Sequence, residues 1–144
     1  MNAQTKRVSR LAGLAEKEVS SARAKVAEAA RAVTAARIFA ERAAAAWTTA
    51  AQSFGDGIVT ADELQRQADH LRSLRFHADA AVKGVETATA EERRCTAVLL
   101  EATMDKRKLE RWQDRLIERE REEHARDDRR GTDELAARTV RART

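Results

Sequence analysis

Apolar residues recur along the first third of the chain at spacings of three and four. Val8, Ala12, Ala15, Val19, Ala22 and Val26 lead on to Ala29, Val33, Ala36, Ala40, Ala43 and Trp47, twelve positions without a break. A repeat of 3.5 residues held that long marks a coiled-coil seam. From Ala15 to Ala43 every second seam position is alanine. Small residues let two backbones approach closely. Each buries little surface, at about 25 cal/mol per Å², so many are needed.

The pattern stops at Ser53-Phe54-Gly55-Asp56-Gly57-Ile58-Val59, where two glycines flank an aspartate. That composition favours a turn, with Asp56 as a turn residue. Thr60-Ala61-Asp62-Glu63 then matches the Ser/Thr-x-x-Glu capping box that opens a helix. A second stripe follows: Leu71, Leu74, Ala78, Ala81 and Val85, then Ala88, Glu92, Cys95, Leu99 and Ala102. It weakens through Lys106, Leu109, Gln113, Leu116 and Glu120. The sequence therefore predicts one all-α domain, an antiparallel two-helix coiled-coil hairpin with a long overhanging second helix. The first helix is placed at about residues 4–52, the turn at 53–59 and the second helix at 60–141.

A pivot at Asp56 would set Val8 opposite Met104. The paired part would then be about 75 Å long, with about 50 Å of second helix beyond it. Leu109, Trp112, Leu116 and Ile117, then Leu135 and Val140, would lie on that overhang. Apolar groups on a lone helix point to a partner or to self-association.

Composition narrows the class. Proline and tyrosine are absent, glycine occurs five times, alanine 31 times, and aromatics make up 3%. Sandwiches, barrels and doubly wound folds need turn formers and β-branched or aromatic strands. Disordered tails are rich in Pro, Ser and Gly. The net charge is +4, but eleven acids alternate with ten bases between Asp105 and Glu134. An interleaved surface does not neutralise phosphates, so nucleic acid is not an expected partner. No apolar run is long enough to insert directly in a membrane, and Met1 to Arg10 is not a secretory leader. The single cysteine, Cys95, allows no internal disulfide and suits the reducing cytoplasm.

Candidate chemistry is sparse. His70 and His77 share a helix face but stand about 10.5 Å apart along the axis, too far to share a metal. Glu122, Glu123, His124, Asp127 and Asp128 form the best metal-like cluster. With no second helix beside it, it reads as a solvated charged face. Cys95 sits on the seam as a small core residue. No phosphate loop or nucleophile motif occurs, and a two-helix rod has no concave pocket. We expect neither enzyme activity nor a cofactor or metal. Trp47 either plugs the core near the turn or anchors a partner, and Trp112 reads as a partner contact. Phe54, Leu71, Leu74 and Phe76 cluster near the turn. Gly84 suggests a close helix approach and Gly131 a joint in the second helix.

Two unequal long helices in a chain of this length resemble the FliJ and SctO (YscO) family, the central stalks of type III secretion export ATPases. Leu14-Ala15-Glu16-Lys17-Glu18-Val19 is similar to the segment that opens the family's first helix. Asp133-Glu134-Leu135-Ala136-Ala137-Arg138 resembles its C-terminal Asp-Glu-x-Ala-x-Arg segment. Lys108-Leu109-Glu110-Arg111-Trp112-Gln113 and Glu118-Arg119 look like the approach to that end.

The resemblance implies a non-enzymatic stalk at the cytoplasmic face of an inner-membrane secretion apparatus, flagellar or injectisome. It would bind the hexameric export ATPase, promote ring assembly and hydrolysis, and contact the cytoplasmic domain of the export-gate protein. Some members also bind export chaperones. ATPase contacts would fall to Leu14, Glu16, Lys17, Glu18 and Trp112, with Asp133, Glu134, Ala136 and Arg138. Gate contacts would fall to Trp47, Leu71, Leu74 and Phe76, chosen on chemistry rather than on motif. The stalk reading expects a monomeric hairpin in isolation. The alternative is a homo-oligomeric coiled-coil scaffold or adaptor.

Overall fold

The computed structural model describes residues 1–58 and 60–144. Helix α1 spans Ala3–Gln52 and helix α2 spans Ala61–Arg143. The two pack against each other as a two-helix hairpin, and no strand occurs among the described residues. Each start is capped as local chemistry requires. The Asn2 side-chain oxygen accepts the Thr5 backbone N–H at 2.9 Å, satisfying an orphan donor of α1. Thr60 does the same for Glu63 at 3.2 Å.

The link is built on glycine. Gly55 and Gly57 have φ values of 90° and 69°, a region that side chains with a Cβ rarely enter. Ser53 donates its hydroxyl back to the Thr49 carbonyl, and the Asp56 N–H bonds to the Ser53 carbonyl. Val59, the last residue of the expected turn, lies outside the described residues.

The chain divides into two compact units, residues 21–99 and residues 1–20 with 100–144. In the first, Ala22, Ala29, Val33, Ala81 and Cys95 are buried. The Gly55 N–H bonds to the Gln67 side chain, and Arg75 lies over the Trp47 ring. In the second, Thr5, Val8, Ala15, Val19 and Leu116 are buried. Every predicted seam position from Val8 to Trp47 is buried or half-buried, as is every one from Leu71 to Ala102. Both cores are narrow strips, because alanine and valine supply most of them.

The pairing register differs from the expectation. Gly55 meets Gln67 and Trp47 meets Arg75, so the pivot lies near residue 61 rather than 56. The first turn and a half of α2 precedes Gln67, whereas α1 ends three residues before Gly55. A pivot shift of five residues moves the residue opposite each α1 position by ten along α2. In the other unit Thr5 bonds to Glu120, so α2 stays partnered about 16 residues beyond the expected start of the overhang at Met104. Leu109 and Ile117 are half-buried and Leu116 is 5% exposed, so they belong to the seam.

Two glycine expectations also change. A Cβ on Gly84 would meet open space, so no close approach needs it there. Helix α2 runs through Gly131 without a joint.

Candidate partner-binding surfaces

At the start of α1, two hydrogen-bond donors converge on one carboxylate. The Glu120 side chain accepts the Asn2 backbone N–H at 2.8 Å and the Thr5 hydroxyl. The Thr5 backbone N–H goes to the Asn2 side-chain oxygen, so the cap of α1 and the clasp share the same two residues. The donors hold the Glu120 carboxyl below the ordinary glutamate range, the Thr5 hydroxyl contributing most and the Asn2 N–H next. After Glu120 every residue of α2 is exposed. The clasp marks the end of pairing, and sequence reading missed it. An asparagine three residues ahead of a threonine at the chain's start was the available signal.

Further along, the Lys106 ammonium bridges the Glu16 carboxylate of α1 and Glu110 of its own helix, the latter at 3.5 Å. Glu16 pulls the lysine pKa upward, with Glu110 adding to it. Lys106 thus occupies a seam position with its charge satisfied, which explains how the stripe stays paired where it turns polar. Glu16, named from the resemblance, is engaged inside the hairpin. Leu14 is 55% exposed, and Lys17 and Glu18 are exposed too. Trp112, 39% exposed, flanks the paired stretch instead of lying beyond it.

The C-terminal residues Asp133, Glu134, Ala136 and Arg138 are exposed on the unpaired part of α2. The level of Lys106, where Glu16 sits, is 27 residues before Asp133. That is about 40 Å of helix axis. The structure therefore does not gather the two sets into one patch. The first set lies on α1 where α2 runs beside it, and the second lies on α2 alone. The expected acidic cluster around His124 is exposed, and no three His, Cys, Asp or Glu side chains converge as metal ligands among the described residues.

In the other unit a shallow groove of about 260 Å³ is lined by Ala44, Trp47, Arg75, Ala78, Asp79 and Val82. Trp47 is half-buried, with the Arg75 guanidinium 5.7 Å from its ring centroid, within cation–π range. It serves partly as a core plug and partly as a groove wall. Leu71 and Leu74 are half-buried on the seam, while Phe76 is 70% exposed and stacks edge-on with His77. The four residues named for a gate contact thus split. Phe76 projects outward, and the other three are partly used in holding the helices together.

Cys95 is buried beside Glu91, its sulfur 3.6 Å from the carboxylate. Arg94 grips Glu91 with two nitrogens at 2.6 and 2.9 Å, which lowers the carboxyl's pKa. This geometry suits a packed core thiol, with its neighbours tied to each other.

No family model matches the chain, and no curated protein or solved structure matches it significantly.

Proposed function

We propose that this chain is a central-stalk component of a type III secretion export apparatus, a member of the FliJ/SctO (YscO) family without enzymatic activity of its own. The unpaired end of α2 engages the hexameric export ATPase, and Asp133, Glu134, Ala136 and Arg138 are its contact residues. Leu14, Lys17, Glu18 and Trp112 form a second station for the same partner, with Glu16 held by Lys106 until engagement. The turn end, through Phe76 and the Trp47 groove with Leu71 and Leu74, contacts the cytoplasmic domain of the export gate, and export chaperones are further partners. The site of action is the cytoplasmic face of the inner membrane.

The observation that supports this reading is the inequality of the helices. Residues 121–144 are exposed throughout, yet they carry the segment that resembles the family's C-terminal motif. Most helical stability in proteins comes from tertiary packing, and a partner around this end would supply the packing that α1 does not. Alternating charges along it suit many weak polar contacts in a ring lumen.

The test is ATP hydrolysis by the type III export ATPase of the source organism, with and without the chain, alongside sedimentation of the hexamer. Stimulation with more hexamer is expected, and replacement of Glu134 and Arg138 by alanine should reduce both while sparing the hairpin's melting temperature. An ATPase indifferent to the folded chain would reject the stalk reading.

A further inference from the structure

Helix α1 carries a second, exposed stripe beside its seam, whose Glu28 and Ala32 line one wall of a shallow groove with Glu91, Arg94 and Cys95 of α2. Ala32, Ala35, Phe39 and Ala46 lie on it at spacings of three, four and seven, and Ile38 lies alongside. All are exposed, Phe39 at 63% and Ile38 at 44%. They belong to the unit formed by residues 21–99. The seam positions of the same stretch, Val33, Ala36 and Ala40, lie on another face. A contiguous apolar face this regular on a helix is an unpartnered packing surface.

The charges on that stripe say what covers it. Glu28 and Arg42 stand seven residues before and seven residues after Ala35, on the same line of the helix. Both are exposed, and neither has an ion-pair partner within the chain among the described residues. A two-fold axis through Ala35 would lay α1 of one copy antiparallel on α1 of another. Glu28 would then face Arg42 of the second copy, twice over. The lateral offsets also match. Phe39 and Ile38 sit on opposite sides of the stripe, and so do their counterparts Ala32 and Arg31. The two-fold operation keeps each lateral side in place, so Phe39 meets Ala32 and Ile38 meets the aliphatic stem of Arg31. Ala35 meets itself, where a small residue lets the backbones approach. Ala24 meets Ala46 and Ser21 meets Thr49. No like charges oppose one another. An isologous interface requires this self-complementarity, and an arbitrary partner does not.

We propose that this exposed flank of α1 is a homodimer interface, with its two-fold axis at Ala35 and its specificity set by reciprocal Glu28–Arg42 pairs. The inference is independent of the stalk reading and replaces its expectation of a monomer in isolation. The patch from Glu28 to Arg42 covers about 21 Å of helix, so the interface is small. The dimer is correspondingly weak, with a Kd on the order of 10–100 µM.

Sedimentation equilibrium of the full chain across that range tests it. A monomer–dimer equilibrium is expected, lost on Phe39→Glu. Glu28→Arg and Arg42→Glu should each weaken it roughly tenfold or more. The double swap, Glu28→Arg with Arg42→Glu, should restore it. In a Cys95→Ala background, Ala35→Cys should cross-link two copies on oxidation, since a disulfide needs Cα atoms within about 7 Å. A chain monomeric throughout overturns the proposal. So does a dimer that survives Phe39→Glu, one held by residues 121–144 and lost on their removal, or a double swap that fails to restore association.

Discussion

Up to Glu120, α2 turns a buried or half-buried residue toward its partner every three or four positions; from Arg121 to Arg143 it turns none. The backbone conformation is the same on both sides of that residue, so the difference lies in what holds it. Before Glu120, helicity is underwritten by tertiary burial. After it, only propensity and local pairs remain, such as Arg126 with Glu122 at 3.6 Å. Exposed pairs of this kind contribute about 0.3–0.5 kcal/mol each. Secondary structure alone does not reveal which parts of a long helix belong to a fold; the burial pattern does.

Breaking the paired part should have the largest effect. Ala29 is 7% exposed on the seam, and Ala29→Glu forces an unpaired carboxylate between the helices. We expect a loss of about 3 kcal/mol or more, seen as a large fall in melting temperature by circular dichroism. Leu116→Ala should follow at about 2–3 kcal/mol, because Leu116 is 5% exposed and lies in the stretch where the two helices remain paired. A neutral result at Leu116 would return the end of pairing to Met104.

The clasp gives a pH signature. Glu120 has its pKa lowered on folding, so its contribution is fully present above the ordinary glutamate value of 4.5. It fades as pH falls through the lower folded value, because the unfolded state takes up the proton first. Glu120→Gln should lower stability near neutrality and flatten that acid-side dependence in thermal melts from pH 6 downward to about pH 3. An unchanged profile would remove Glu120 from its role. The smallest effect should come from ending the chain after Glu120. The melting temperature of the hairpin should hold within about 2 °C, while helical signal falls with the residues removed. A large drop would show that the tail packs on the hairpin.

The seams were legible residue by residue, because a helix's buried face is written in its spacing. Thr60 as a cap and Cys95 as a core residue were legible for similar local reasons. The register was not, since it depends on how the link residues fold back, and an alanine-rich seam accepts sliding by its own steps of three and four residues. That slip carried Trp112 and Leu116 onto the expected overhang. Lys106 and Glu120 looked like places where the seam failed, yet both are satisfied by α1 residues distant in sequence. Of the candidate contact residues, exposure at Phe76, Leu14 and the C-terminal set could be anticipated from helix periodicity. The engagement of Glu16 could not, because it needs the partner helix in place.

Hydrogen exchange of the free chain, read amide by amide along α2, tests the division at Glu120 most directly. The account predicts slow exchange at seam amides through Leu116 and Glu120, then fast exchange from about Arg121 to the end of the helix. Protection continuing undiminished to Val140 in a chain shown to be monomeric would contradict it.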